Sequence, residues 1–364
     1  MSVPGTDVDV TVVGAGPGGL SLAARCGLRG CGVRLLDVAD DILAPIRQAG
    51  GIAVSGIEEG FAPVAAASTD PGEVVPPADL VLVCVPGDAL GAAADALARV
   101  VRPGQVVIAV PGCTGGALQL AAVLDGTGVL VAETDSFPFG CASPGPGSVR
   151  ITVAKSRLGT ASLPATRTAE AVSLLAVPFP EAQPAGSVLE TSLSNLNAIL
   201  HVTPMLANVG RVEFPEESFD FYREGVTPAV ARAMARQDEE RVAVASALGV
   251  SVPSLSEWAA ATYGVRGRDA YETVATLSRD AYGSSPAPGT LDHRYLTEDV
   301  PCGALPVSEL GALVGVKVDA TRNAVELASL VLGRDVRASG RTLDRLGLAG
   351  LDRDGVRAAV GLPS

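Results

Sequence analysis

In the first half of the chain the apolar positions come as continuous runs: VDVTVVGA from Val8, then GVRLLDV, LVLVCVP, VVIAVPG and GVLVAET. Unbroken Val/Ile/Leu runs mark strands covered on both faces, and the Ala/Leu-rich stretches between them, such as residues 90–101, have the length of crossover helices. The pattern predicts a doubly wound parallel sheet reaching to about Pro180. SVRITVA at Ser148–Ala154 reads as a further strand, expected antiparallel at the edge of that sheet. Beyond Pro184 the period changes to that of helices. Thr227-Pro228 puts a cap residue before a proline at the first helical position, and AVARAMARQDEERVAVASALG runs from there to a stop at Gly249. Further helices are expected over residues 254–263, 269–281, 307–314 and 320–332, with GSSPAPG at 283–289 as a flexible or extended connector. The fold class is therefore an α/β domain over residues 1–185 followed by an all-α domain over 186–364.

A length of 364 residues suits two domains of about 100–200 residues each, and 48% hydrophobic residues supply a core. With 40 acidic against 27 basic residues the net charge is −13, which disfavours nucleic acid and anionic membrane as partners and favours small molecules. Against that background, an arginine near the chemistry gains interest as a holder of anions. The six cysteines form no C-x-x-C pair, so neither a zinc site nor a disulfide framework is indicated and no metal is expected. The opening MSVPGTDVDV has no basic leader, and no apolar stretch approaches about 20 residues. These features point to a cytoplasmic chain, and a homodimer is compatible with them.

Gly14-Ala15-Gly16-Pro17-Gly18-Gly19 fits G-x-G-x-x-G between a predicted strand and a predicted helix, the setting in which that pattern grips a dinucleotide pyrophosphate. It identifies the first domain as a Rossmann domain. Asp37 ends the second strand 18 residues after Gly19, where a carboxylate accepts hydrogen bonds from an adenosine ribose and repels a 2′-phosphate. NADH is therefore favoured. NADPH stays open, because Arg34 or Arg47 can offer a phosphate a cation. GAGPGG also opens FAD-dependent monooxygenases, but the later Gly-Asp fingerprint of those proteins is missing from the second half. Val85 and Pro86, at the end of the run LVLVCVP, are placed beside the cofactor.

Only two histidines occur, His201 and His293. Histidine exchanges protons near neutrality, with an unperturbed pKa of roughly 6.5, as a hydride-transfer enzyme requires. His201 lies in NLNAILHVTPMLANVG, where Asn195, Asn197 and Asn208 also interrupt an apolar stripe. Polar side chains in such a stripe need partners when buried, although composition alone leaves His201 as readily structural as catalytic. A second dense segment, LDHRYLTEDVPCGALP, carries His293, Arg294, Glu298 and Asp299. Phe219, Phe221 and Tyr222 read as core and Trp258 as a packing anchor.

With GAGPGG, AETDSFPFGC, GPGSVRITVAK, NLNAILHVTPMLANVG, FDFYREGVTP and HRYLTEDVP in one chain, the sequence resembles the octopine/opine dehydrogenase family over nearly its whole length. The resemblance extends more distantly to glycerol-3-phosphate and ketopantoate dehydrogenases. It implies reduction by NAD(P)H of the imine formed from an amino acid, or other amine, and a 2-oxo acid. His201 matches the family's catalytic histidine, Asp299 its aspartate partner, and Arg294 an arginine that holds a substrate carboxylate; Glu133 and Thr134 fall where the family lines its substrate cleft between the domains. On these roles His201 gives a proton to nitrogen, Asp299 fixes the ring's tautomer, and Arg294 orients the oxo acid. Two positions depart from the family pattern. Val202 stands where proline is common, and Ala142 where an arginine is common, so a less polar amine or a cyclic imine enters the substrate range. Two other readings remain: a 2- or 3-hydroxy-acid dehydrogenase using the same residues on an alcohol, and a dinucleotide-binding sensor without catalysis.

Overall fold

The computed structural model describes residues 8–214 and 218–363, which pack as two units: residues 8–191 with 358–363, and residues 192–357. In the first unit the strands are β1 (Asp9–Val13), β2 (Gly32–Leu36), β3 (Gly51–Gly56), β4 (Gly60–Pro63), β5 (Ala66–Ser68) and β6 (Leu80–Val83). They continue with β7 (Val106–Ala109), β8 (Leu130–Thr134), β9 (Phe139–Ala142), β10 (Ser148–Ala154), β11 (Leu158–Leu163) and β12 (Ala182–Pro184).

The main sheet runs β5, β2, β1, β6, β7, β8, β11, β12. From β5 to β8 every pairing is parallel, and β11 enters antiparallel to β8. The all-apolar runs LVLV and VVIA form β6 and β7, buried at every position, as strands covered on both faces must be. Chain order reverses between β1 and β6, so the ends of these two strands mark the crevice where such sheets bind their ligands.

SVRITVA does form a strand, β10, but not on the main sheet. It lies in a second sheet ordered β4, β3, β10, β9, parallel to β3 and antiparallel to β9. The reason is visible in its alternation: Val149 and Ile151 are fully buried while Arg150 and Thr152 are exposed, a pattern that suits a sheet covered on one face. That sheet packs on the helix Pro17–Leu28, which is buried at every residue from Gly19 to Cys26. Even Arg25 is 5% exposed, its guanidinium paired with Glu58 at 2.6 Å and lying 4.8 Å from the centre of the Phe139 ring.

The second unit is helical. Its longest helix, Pro228–Ala247, starts where Thr227 accepts from the Val230 N–H at 3.3 Å and ends before Gly249, which takes the left-handed backbone that favours glycine. Four of its polar residues, Gln237, Asp238, Glu240 and Arg241, are buried. Arg241, 1% exposed, donates to Asp238 at 2.6 Å and to the Leu193 and Pro253 carbonyls, while Glu240 caps the helix Asp319–Leu332 through the N–H groups of Ala320 and Thr321. Helices also form over Leu255–Tyr263, with a Ser254/Glu257 capping box, over Ala270–Leu277 and over Leu305–Leu313. The connector at 283–289 is pinned rather than loose: Phe221 N–H donates to Ser285 at 2.7 Å, and Ala287 N–H to Phe219 at 2.9 Å. Among the described residues no helix is long and apolar enough to cross a membrane, and no cluster of three or more His, Cys, Asp or Glu is arranged to hold a metal ion.

Candidate active site

The glycines of the first loop divide by what surrounds them. A Cβ on Gly14 would lie 2.2 Å from the Cys84 carbonyl, and one on Gly19 would lie 1.7 Å from that of Gly14, so both are demanded by the packing of helix and strands. A Cβ on Gly16 would meet nothing within 4 Å, which leaves the backbone there open to a ligand. Pro17 begins the helix and no side chain caps Gly16, so the first turn keeps its N–H groups for an anion. Asp37, just past β2, accepts from Ala15 N–H at 2.6 Å and from Ala39 N–H at 2.9 Å. A carboxylate has about four acceptor positions, so two stay available to ribose hydroxyls. Val85 and Pro86 follow β6, with Val85 half-buried against the Gly14 turn and Pro86 exposed. These residues fit a dinucleotide.

In the helical unit, two segments 98 residues apart meet. His201 Nδ1 and Asp299 Oδ2 lie 2.7 Å apart, with the Asp299 side chain 1% exposed and that of His201 15% exposed. Both sit where the helical ladder widens into a π-turn, at Ala198–Val202 and at Val300–Ala304. Pro204 has no N–H to offer the Leu200 carbonyl, which fits the change of ladder beside His201. Asp299 is clamped by bonds that span five residues, its N–H on Arg294 at 3.0 Å and its carbonyl accepting from Ala304 at 2.9 Å. A carboxylate can only accept, so the proton lies on Nδ1 and Nε2 is the atom left to exchange protons with a ligand.

Other side chains cluster around this pair. The Tyr295 ring stacks on His201 with centroids 3.9 Å apart and planes at 16°. It also meets His293, edge-on at 4.4 Å, and Phe221 at 4.9 Å, and Phe221 in turn packs edge-on against Tyr222 at 5.1 Å. Burial pushes both phenols up, so they stay neutral. His293 caps the turn Arg294–Thr297, its Nδ1 accepting from Tyr295 N–H at 3.4 Å. Burial, then the nearby charges of Arg294 and His201, hold His293 below the usual histidine range. Arg294 pairs with Glu298 at 3.0 Å while 59% of its side chain faces solvent.

Glu133 and Thr134 lie elsewhere, in β8 of the first unit, and both are fully buried. The carboxylate of Glu133 accepts from Ala117 N–H at 2.7 Å and from the Thr191 hydroxyl at 2.7 Å, while Thr134 donates to the Ser136 carbonyl. A Cβ on Gly112 would lie 2.4 Å from Glu133 Oε2, so that glycine makes room for the carboxylate. Both side chains thus have defined work inside the fold. Tyr295 is marked in the sequence only by its place in the HRYLTEDVP segment, whereas Tyr222 lies in the helical core, as expected.

Comparison with known proteins gives consistent findings. The family model for the NAD/NADP octopine/nopaline dehydrogenase alpha-helical domain matches residues 184–332, and that for ketopantoate reductase PanE/ApbA matches residues 10–161. An opine dehydrogenase of Arthrobacter sp. (strain 1C) is 36% identical over 355 residues, spanning 96% of this chain and 98% of that protein. Among solved structures, an octopine dehydrogenase in complex with NADH and agmatine superposes with a TM-score of 0.84, at 22% identity over 98% of this chain and 99% of that one. An NADP+-bound yersinopine dehydrogenase gives 0.74, at 16% identity over 98% of each chain. At such identities the two structures speak for the fold alone.

Proposed function

The chain belongs to the opine dehydrogenase family, and from that premise we propose that it reduces the imine formed between an amino acid, or another amine, and a 2-oxo acid, with His201 as proton carrier. It is an oxidoreductase that uses a nicotinamide cofactor. When held at the Gly14–Gly19 loop, the nicotinamide cofactor would supply the hydride for the imine carbon. His201 gives a proton from Nε2 to the imine nitrogen, or to the hydroxyl of the carbinolamine that precedes it, and takes one from the amine in reverse. Asp299 holds the ring in the tautomer this needs and offsets the positive charge that the imidazole carries. Arg294 grips the oxo-acid carboxylate with paired N–H bonds and so orients the carbon to be reduced.

The observation that carries this reading is the 2.7 Å bond between His201 Nδ1 and a carboxylate shielded from water. His201→Ala tests it: imine reduction is abolished while NADH binding, followed by fluorescence, is retained. Equal turnover in the variant would overturn the role.

NADH is the preferred cofactor. Asp37 supports this, as do the two arginines nearest in sequence for a 2′-phosphate: Arg34 is paired with Asp9 at 2.7 Å and Arg47 with Asp40 at 2.8 Å. Kinetics with each cofactor test the preference, and a higher kcat/KM for NADPH would contradict it. Ala142, exposed at the end of β9, brings no cation to a substrate. This supports an amine with fewer carboxylates than an amino dicarboxylate, or a preformed cyclic imine.

A further inference from the structure

A single hydrogen bond does not fix an imidazole. The Asp299 contact anchors Nδ1, but a hydrogen bond to one ring atom resists a tilt of the ring plane only weakly, and such a tilt displaces Nε2. The contact that blocks this swing is the face of Tyr295, 3.9 Å from the His201 ring and within 16° of parallel. Tyr295 is itself held on several sides. Its backbone N–H is bound by His293, whose ring it also meets edge-on, and its ring lies 4.9 Å from that of Phe221.

We propose that Tyr295 is a positioning residue for His201, its ring face fixing the imidazole plane and favouring the imidazolium as the proton is exchanged. The inference rests on the reading of His201 as proton carrier. An aromatic face attracts a cation laid against it, the more so when water is excluded, and His201 is mostly shielded. The ring is therefore held most firmly in the protonation state that carries the proton to nitrogen.

The titratable and charged groups around His201 are Asp299 on Nδ1, His293 and Tyr222 beyond Tyr295, and Arg294 with Glu298 on the turn that carries Tyr295. The helix Pro228–Ala247, which also packs on the His201 segment, brings Asp238 and Arg241, paired with each other, and Glu240, taken up by Ala320 and Thr321.

The test compares Tyr295→Leu, which fills similar space without an aromatic face, with Tyr295→Phe, which keeps the face and drops the hydroxyl. For Leu, kcat falls about fivefold to tenfold with the KM for NADH unchanged. The limb of the pH profile along which kcat falls as His201 loses its proton moves about half to one unit lower. For Phe, both return to near wild type. A folded Leu variant with wild-type kcat and profile overturns the proposal, as does a Phe variant as impaired as Leu, which would assign the effect to the hydroxyl. A proton NMR measurement reads the stack without activity. With two histidines in the chain, the imidazole signal lost in His201→Ala identifies His201, and it moves downfield in Tyr295→Leu but not in Tyr295→Phe. No movement with Leu overturns the stack. Movement in a protein that reduces no imine keeps the stack and removes the function proposed above.

Discussion

Replacing Asp299 by Asn keeps the shape of the side chain and an oxygen for His201 Nδ1, and removes only the charge. In the native protein that charge is 1% exposed and 2.7 Å from the ring nitrogen, so water does little to screen it. A hydrogen bond to a charged group contributes about 1.5–3 kcal/mol and a neutral one about 0.5–1.5 kcal/mol, so the substitution costs roughly 1–2 kcal/mol whenever the imidazole is positive. His201 delivers its proton as the imidazolium, so the same cost depletes the proton-carrying form and kcat drops about 5- to 30-fold. An amide that turned its NH2 to Nδ1 would force the proton onto Nε2 and deepen the loss. The assay is NADH absorbance at saturating amine and 2-oxo acid, with thermal melting to show that the variant is folded. Because the dinucleotide loop belongs to the other unit, the KM for NADH stays at its wild-type value. A folded Asn variant whose kcat is within twofold of wild type would refute the reasoning and leave His201 without a charge partner that matters.

Arg294→Ala raises the KM for the 2-oxo acid about tenfold, with some loss of kcat, because positioning contributes to both; an unchanged KM moves the carboxylate site elsewhere. Gly16→Val leaves thermal stability near wild type, since nothing lies within 4 Å of the added Cβ, yet weakens NADH binding by occupying the open side of the loop, whereas Gly19→Ala destabilises the fold through its 1.7 Å clash. Calorimetry on both variants checks this, and a Gly16→Val protein that binds NADH normally contradicts the placement of the pyrophosphate. His293 titrates lower in the folded chain than in the unfolded one, so the unfolded state takes up a proton first. Its stabilising contribution is therefore complete above about pH 6.5 and is lost as pH falls through its folded value. Melting curves at about pH 8 and about pH 5 should show the wild type losing more stability than His293→Asn, which keeps a cap acceptor that does not titrate; equal losses would exclude the cap.

What the chain reveals in advance is what depends on neighbours in sequence. The GAGPGG loop, Asp37 at a strand end, and Thr227-Pro228 opening a helix are local devices, and each stands where the pattern predicts. The second sheet depends on pairing Gly51–Gly56 with Ser148–Ala154, and no periodicity reports which distant strand a short run will find. SVRITVA was thus legible as a strand and not as a member of that sheet. GSSPAPG has the composition of a loose linker, but backbone bonds to Phe219 and Phe221 hold it, and backbone bonds leave no trace in side-chain composition. The His201 and Asp299 positions were readable through family resemblance. The aromatic face on His201 was not, because a stack between residues 94 apart is a property of the packed helices.

The most direct test of the account follows a deuterium label. Wild-type protein is supplied with NADH deuterated at the transferable position, a panel of amino acids and cyclic imines, and a 2-oxo acid, and the products are read by mass spectrometry. The account predicts that NADH is consumed only when both an amine and the oxo acid, or a preformed imine, are present, and that the label appears on the carbon next to the new secondary amine nitrogen. Consumption with the 2-oxo acid alone, with deuterium on the carbinol carbon of a 2-hydroxy acid, would contradict it.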